Sequence, residues 1–229
     1  MQNEYIFSDF DGTITKYDAV HKFITTYSKG DWTIAENLWL KGKMTTKECL
    51  SVQMNMIKDI KKTDLKDFLD SIEIDETFIE FYKLVKKYDK TLIILSDGFD
   101  IFIEGALKKY NLENIKFYSN KLIIKENKGY LTFETQYPFM QKDCFIGSGN
   151  CKCGVARKYS KNYTYIGDGM SDRCIAKKSS LLFAKKSLET FCIKENIPYF
   201  PYKTFQDIID ALFKENLNAD NDVKIFNGR

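Results

Sequence analysis

Two aspartates, Asp9 and Asp11, stand one residue apart at the end of the apolar run in "YIFSDFDGTIT", and Gly12 follows at once. Like charges this close repel, so the pair is either a turn or one wall of a site for something positive. Comparable polar groups follow three other apolar runs: Ser96/Asp97, Ser119/Asn120, and Asp168 with Asp172 in "GDGMSD". If those runs are strands of one parallel sheet, the groups meet at its carboxyl edge, where such sheets bind ligands. Three converging carboxylates raise one another's pKa until a cation joins them. An all-oxygen set selects a hard ion, and Mg²⁺ is the abundant one. One carboxylate can still face a phosphoryl group while the Ser96 hydroxyl, backbone N–H groups and a lysine hold its other oxygens.

The intervening sequence supplies elements that could position these groups. Residues 4–8 read as a strand, 91–98 as a β-branched run closed by a turn, and 16–88 as a block of helices with apolar residues three and four apart. Thr45-Thr46 before Lys47-Glu48 reads as a helix start, and Lys29-Gly30-Asp31 as a break between helices. "DIFIEGALKKY" reads as a helix, 115–134 as a strand followed by a hairpin, and "CKCGVARKY" as a helix start. "YTYIG" and "LLFA" read as strands, "SDRCIAKK" and "TFQDIIDALFKE" as helices, and the chain from about Asn216 as a polar tail. Strands alternating with helices predict an α/β fold with a mainly parallel sheet covered on both faces, and a helical block inserted after the first strand.

Composition narrows the chemistry. The chain has 229 residues, 44% of them hydrophobic and 15% aromatic, enough for one large core or a core with an insertion. A formal net charge of +3 gives no field that favours nucleic acid or membrane. One histidine, His21, rules out a multi-histidine metal site, and no nucleophile-elbow motif accompanies it. His21 reads as a surface residue of the helical block or as part of a substrate lining. Cys49, Cys144, Cys151, Cys153, Cys174 and Cys192 contain no C-x-x-C pair, so reduced thiols in a cytoplasmic protein are expected. Cys144, Cys151 and Cys153 give three ligands at an unusual zinc spacing, and idle thiols are the plainer reading. Asp9 comes too early to leave room for a leader, and the apolar runs are strand-sized, so no membrane span is expected.

"DFDGT" at 9–13, Ser96 behind a hydrophobic strand, a downstream lysine and "GDGMSD" at 167–172, in that order, resemble the four motifs of the haloacid dehalogenase superfamily. The helical insertion resembles the C1-type cap of its phosphoserine-phosphatase-like branch. "DFDGTIT", "CFIGSGNCKC" and "LLFAKKSLETFCIKENIPYFPYKTF" are similar to stretches of the methionine-salvage phosphatases. The resemblance implies a Rossmannoid catalytic core of residues 1–15 and 89–229 and a cap of 16–88. It implies a Mg²⁺-dependent phosphatase acting on a small phosphorylated metabolite through an aspartyl-phosphate. Asp9 would be the nucleophile and Asp11 the general acid and base. Asp9, the Asp11 carbonyl and Asp168 would hold Mg²⁺, with Asp172 orienting waters. Ser96, Asp97, Gly98, Lys152, Gly12 and Thr13 would surround the phosphate. The aspartate two residues beyond the nucleophile argues for phosphate rather than halide chemistry.

Several alternatives remain open in the sequence. Lys158 rivals Lys152 as the motif lysine, and Asp172 could simply serve a helix N-terminus. A phosphotransferase would use the same residues. A phosphometabolite-binding protein would be expected to have lost one of the aspartates, and a receiver domain has no place for the insertion. Phosphoserine phosphatases are expected to grip a carboxylate with a cap arginine, yet Arg157, Arg173 and Arg229 are the chain's only arginines and none lies within 16–88.

Overall fold

The computed structural model describes residues 4–142, 144 and 147–214. The polar tail expected from about residue 216 lies outside them. β1 (Tyr5–Ser8) leads into α1 (Ala19–Tyr27), α2 (Thr33–Leu40), α3 (Thr46–Asn55), α4 (Lys62–Ser71) and α5 (Phe78–Lys87). β2 (Thr91–Phe99), α6 (Asp100–Lys109), β3 (Lys116–Asn127), β4 (Tyr130–Gln136), α7 (Lys152–Ala156) and β5 (Tyr163–Gly167) follow. A 3₁₀ turn (Met170–Asp172), α8 (Arg173–Ala176), β6 (Leu181–Ala184), α9 (Lys186–Glu195), β7 (Phe200–Pro201) and α10 (Phe205–Phe213) complete the order.

The strands form a mixed seven-stranded sheet in the order β4-β3-β2-β1-β5-β6-β7, with helices around it. β1 is parallel to β2 on one side and to β5 on the other, with Ser8 opposite Ile94 and Ile166. A strand flanked on both sides must be apolar throughout, which is why "YIF" carries no polar alternation. The register also sets the site: with Ser8 level with Ile166, Asp9 and Gly167 leave the sheet at the same height, one residue before Asp168. No helix among the described residues is long and apolar enough to cross a membrane.

The chain divides into two compact units. The first comprises Met1–Lys16, Ile74–Leu95 and Lys152–Arg229; the second comprises Tyr17–Glu73 and Ser96–Cys151. This division differs from the boundaries expected at 15/16 and 88/89. α5 belongs to the first unit because its apolar face packs on α10: Phe78 and Phe81 lie 4.9 and 5.0 Å from Phe205, ring centre to ring centre. In the second unit, Phe23 of α1 gathers Phe68, Phe102 and Phe133 at 4.9–5.5 Å, so α4, α6 and β4 share one core with the inserted helices. Ser51 of α3 adds contacts to Thr135 and Tyr137. The expected helix start is a capping box, in which Glu48 N–H donates to Thr45 Oγ1 and Thr45 N–H donates to Glu48 Oε2.

Local pattern misleads at two places, the first being Ser96, Asp97 and Gly98, which lie inside β2 because the strand runs on to Phe99 rather than closing in a turn. Residues 115–134, read as a strand and a separate hairpin, form one long hairpin in which β3 pairs antiparallel with β4 from Lys121–Gln136 to Asn127–Tyr130. Ser119 and Asn120 are therefore inside β3 rather than after it. "NK" does not break the strand because the Asn120 side chain reaches across to Asp97.

Candidate functional site

The first unit builds its site from the turns after β1, β5 and β6 and from the start of α7. After β1 the chain winds tightly, with the N–H groups of Thr13, Ile14 and Thr15 all donating to the Phe10 carbonyl. That turn needs φ of +72° at Gly12, and a Cβ there would lie 2.4 Å from Asp168 Oδ2. Both the left-handed backbone and the contact exclude a larger residue. Gly12→Ala is expected to lower stability by about 2 kcal/mol or more, read as a lower melting temperature by calorimetry.

Asp9 is buried, and its Oδ1 accepts from Phe10 N–H and from Lys152 Nζ, each at 2.8 Å. Lys152, at the start of α7, is 3% exposed and also donates to Asp172 Oδ1 at 2.5 Å. Lys158 is exposed on the surface, so it is Lys152 that reaches the acidic cluster. Asp172 is fully enclosed. Its Oδ1 also accepts from Tyr165 Oη, and its Oδ2 from the N–H groups of Asp168 and Gly169. Four donors thus consume its carboxylate.

Asp168 accepts from Thr13 Oγ1 at 3.2 Å and from Lys186 Nζ at 2.9 Å. Lys186 was not singled out from the sequence. It opens α9 with φ of +51° and donates as well to the Gly12 carbonyl at 3.0 Å, tying the first and last turns together. Its neighbour Lys185 donates to the Thr13 carbonyl, and its pKa is lowered by burial and then by Lys186. The missed signal was the pair of lysines directly after the "LLFA" strand, which runs parallel to β5 and so ends beside Asp168.

The electrostatics leave negative charge in excess. Burial, then the Asp172 and Asp168 carboxylates, push Asp9 well above the usual carboxylate range despite Lys152. Asp168 is raised by burial and Asp172, with Lys186 opposing. Lys152 is held protonated by Asp172 and Asp9 against its burial. Asp9, Asp168 and Asp172 each offer an oxygen within 4.8 Å of the others. Buried hard oxygens with uncompensated charge fit a divalent cation. With Asp172 consumed by its donors, Asp9 and Asp168 are the side chains that could hold it. Asp11 is half-buried in the turn between Asp9 and Gly12.

The second unit holds the remaining expected residues. Ser96 is buried, and its Oγ accepts from Gly98 N–H at 2.9 Å. Asp97 anchors a loop through its carboxylate: Oδ2 accepts from Ser148 Oγ, and Oδ1 from Asn150 N–H and Asn120 Nδ2. Its side chain is committed to that loop. His21 lies half-exposed on α1, edge-on to Trp32 at 5.0 Å. Cys144, Cys151 and Cys153 form no disulfide, and the sulfur beside Cys153 is that of Cys174.

Known proteins resemble the chain along most of its length. A 2-hydroxy-3-keto-5-methylthiopentenyl-1-phosphate phosphatase of Bacillus pumilus is 28% identical over 91% of this chain and 90% of its own. One of the same name from Lysinibacillus sphaericus is 28% identical over 92% and 96%. A phosphoserine phosphatase solved as a phospho-aspartyl intermediate analogue superposes with a TM-score of 0.66, covering 93% of this chain and 100% of that one at 19% identity. A haloacid dehalogenase family hydrolase of Salmonella enterica gives 0.69 over 94% and 72%, also at 19% identity. Both structural likenesses are likenesses of fold. The model of the family described as "Putative Phosphatase" matches residues 5–190, and the chain belongs to that family of phosphoric monoester hydrolases.

Proposed function

We propose that this phosphatase hydrolyses a small phosphorylated metabolite through an aspartyl-phosphate on Asp9, with Mg²⁺ held by Asp9, Asp168 and the Asp11 carbonyl. The observation that carries this reading is the buried Asp9 carboxylate beside a fully buried ammonium, Lys152, with Asp168 in the same cluster. Bound there, Mg²⁺ would supply charge neutralisation for the phosphoryl oxygens.

The chain's own residues would do the rest. Asp9 attacks phosphorus in line as the P–O bond to the alcohol breaks, and Asp11 gives the departing oxygen its proton. Asp11 then takes a proton from water as that water attacks the aspartyl-phosphate, which frees Asp9 and phosphate. Lys152, fixed by Asp172, keeps one Asp9 oxygen engaged so that the other can face phosphorus. Asp172 orients rather than reacts. Ser96 and Gly98 would take phosphate oxygens, whereas Asp97 would act through the loop it anchors.

The substrate class follows from what the cap segment lacks. Residues 16–88 contain no arginine to clamp an amino-acid carboxylate in two-pronged fashion, which favours a neutral keto-sugar-like phosphate over phosphoserine. 2-Hydroxy-3-keto-5-methylthiopentenyl-1-phosphate, in the name of the relatives, is of that kind. Phosphate release from this compound, phosphoserine, sugar phosphates and p-nitrophenyl phosphate tests the reading. The expected result is hydrolysis that needs Mg²⁺, stops with EDTA, and is fastest on the keto-phosphate. Phosphoserine at the head of the panel would overturn the substrate assignment. Turnover undiminished in EDTA would overturn the metal. Mg²⁺ at about 100 times its dissociation constant is also expected to stabilise the fold by about 2.7 kcal/mol, read by thermal melting with and without the ion.

A further inference from the structure

Two cysteines that the hydrolytic chemistry does not use lie against each other beside the site. Cys153 and Cys174 have their sulfurs 2.9 Å apart, and neither is in a disulfide. Cys153 follows Lys152 on α7, and Cys174 lies two residues beyond Asp172 on α8. The pair thus bridges two short helices at whose starts Lys152, the first residue of α7, and Asp172, just before α8, are joined at 2.5 Å. Cys153 is 3% exposed, while Cys174 is half-buried and open to small reagents. The Cys153 thiol beside Cys174 favours the Cys174 sulfur as an anion, burial opposes this, and the charges of Lys178, Arg157 and Lys177 add to it. Both sulfurs also act on the Tyr163 hydroxyl, which is buried and has no hydrogen-bond partner among the described residues. A buried hydroxyl of that kind is a donor waiting for an acceptor.

We propose that Cys153 and Cys174 form an oxidant-sensitive site, in which Cys174 reacts with a small peroxide and Cys153 resolves the product to an intramolecular disulfide. The Cys174 thiolate attacks one peroxide oxygen, the O–O bond breaks, and hydroxide leaves, giving the sulfenic acid. The Cys153 sulfur then attacks the Cys174 sulfur. The S–S bond forms, the S–O bond breaks, and the departing hydroxide takes the Cys153 proton as water. Two thiols lose two electrons, and one peroxide becomes two waters. Bonding at about 2.04 Å requires the sulfurs to approach by about 0.9 Å, so a small shift of the helix starts suffices.

That shift acts on Lys152 and Asp172, and its effect on turnover rests on the role given to Lys152 above. A misplacement of this size in a catalytic contact is expected to slow hydrolysis by about 10-fold or more.

The full-length protein, reduced and desalted, would be treated with hydrogen peroxide without denaturant and blocked with N-ethylmaleimide. Thiol counting, peptide mapping by mass spectrometry and p-nitrophenyl phosphate hydrolysis would be read on the same sample. Loss of two thiols, a peptide linking 153 to 174, and slowed hydrolysis that dithiothreitol restores are the expected results. Cys153→Ser should instead accumulate a sulfenic acid at Cys174 that dimedone traps, and Cys174→Ser should give no linked peptide. Six thiols surviving in the parent, or disulfides that involve Cys144 or Cys151 in place of this pair, would overturn the site. A linked peptide with unchanged hydrolysis would overturn only its coupling to Lys152. A reduced parent that hydrolyses nothing would count against the proposed hydrolytic function, while the mapped peptides would still decide the site.

Discussion

Asp9→Asn is expected to hydrolyse its best substrate at least about 10⁴-fold more slowly than the parent, a loss of about 5 kcal/mol of transition-state stabilisation. The amide keeps the shape of the side chain and its acceptor for Phe10 N–H, but it cannot form the acyl phosphate. Stability should move differently from activity. In metal-free protein the Asp9 carboxyl is held well above its usual range by burial and by Asp172 and Asp168. A group whose folded pKa is raised contributes stability below its unfolded value, near 4, and that contribution is lost as pH rises through the folded value. At neutral pH without metal the ionised carboxylate therefore weighs against the native state. Asp9→Asn in EDTA should melt no lower than the parent, and its relative stability should improve with rising pH. Added Mg²⁺ should stabilise the parent and leave the variant nearly unmoved. Differential scanning calorimetry in EDTA and in Mg²⁺, beside single-turnover kinetics, reads both effects. A variant that kept a tenth of parental activity would exclude Asp9 as the nucleophile.

Lys152→Ala carries the second large effect, on stability as well as rate. Lys152 is 3% exposed and lies between Asp9 at 2.8 Å and Asp172 at 2.5 Å. Its removal leaves two buried carboxylates without the ammonium that offsets them. Breaking a buried ion pair from one side lowers stability by about 3–5 kcal/mol. For a chain of this length that corresponds to a melting temperature lower by on the order of 10 °C. Hydrolysis should fall with it, because Asp9 loses the contact that fixes its orientation. Lys158→Ala, at an exposed position six residues on, should stay within about 0.5 kcal/mol of the parent and keep its activity. Equal melting temperatures for the two variants would refute the buried-pair account.

The sequence by itself determined the order of the chemistry. Ser96/Asp97 and Ser119/Asn120 proved to lie inside β2 and β3. The runs before Asp9 and Asp168 marked true strand ends, and the parallel pairing of β1 with β5 brought those two ends to one edge. Asp9, Thr13, Asp168 and Asp172 were legible for that reason, as was the block of helices after β1. Such readings rest on local pattern, which reports the backbone state of a short segment and which face it buries.

What local pattern cannot report is which distant segments share a core. α5 looks like every other helix of the insertion, yet Phe78 and Phe81 meet Phe205 more than a hundred residues later and draw it into the first unit. The break expected at Asn120 vanishes because its side chain finds Asp97. Lys152 and Lys158 are alike as residues, and burial alone separates them. Lys186 comes to Asp168 because β5 and β6 pair in parallel, and Cys153 comes to Cys174 because α7 and α8 meet only in the folded protein. The motifs named the candidate groups; tertiary packing decided which charges they face, because charge and burial act through space rather than along the chain.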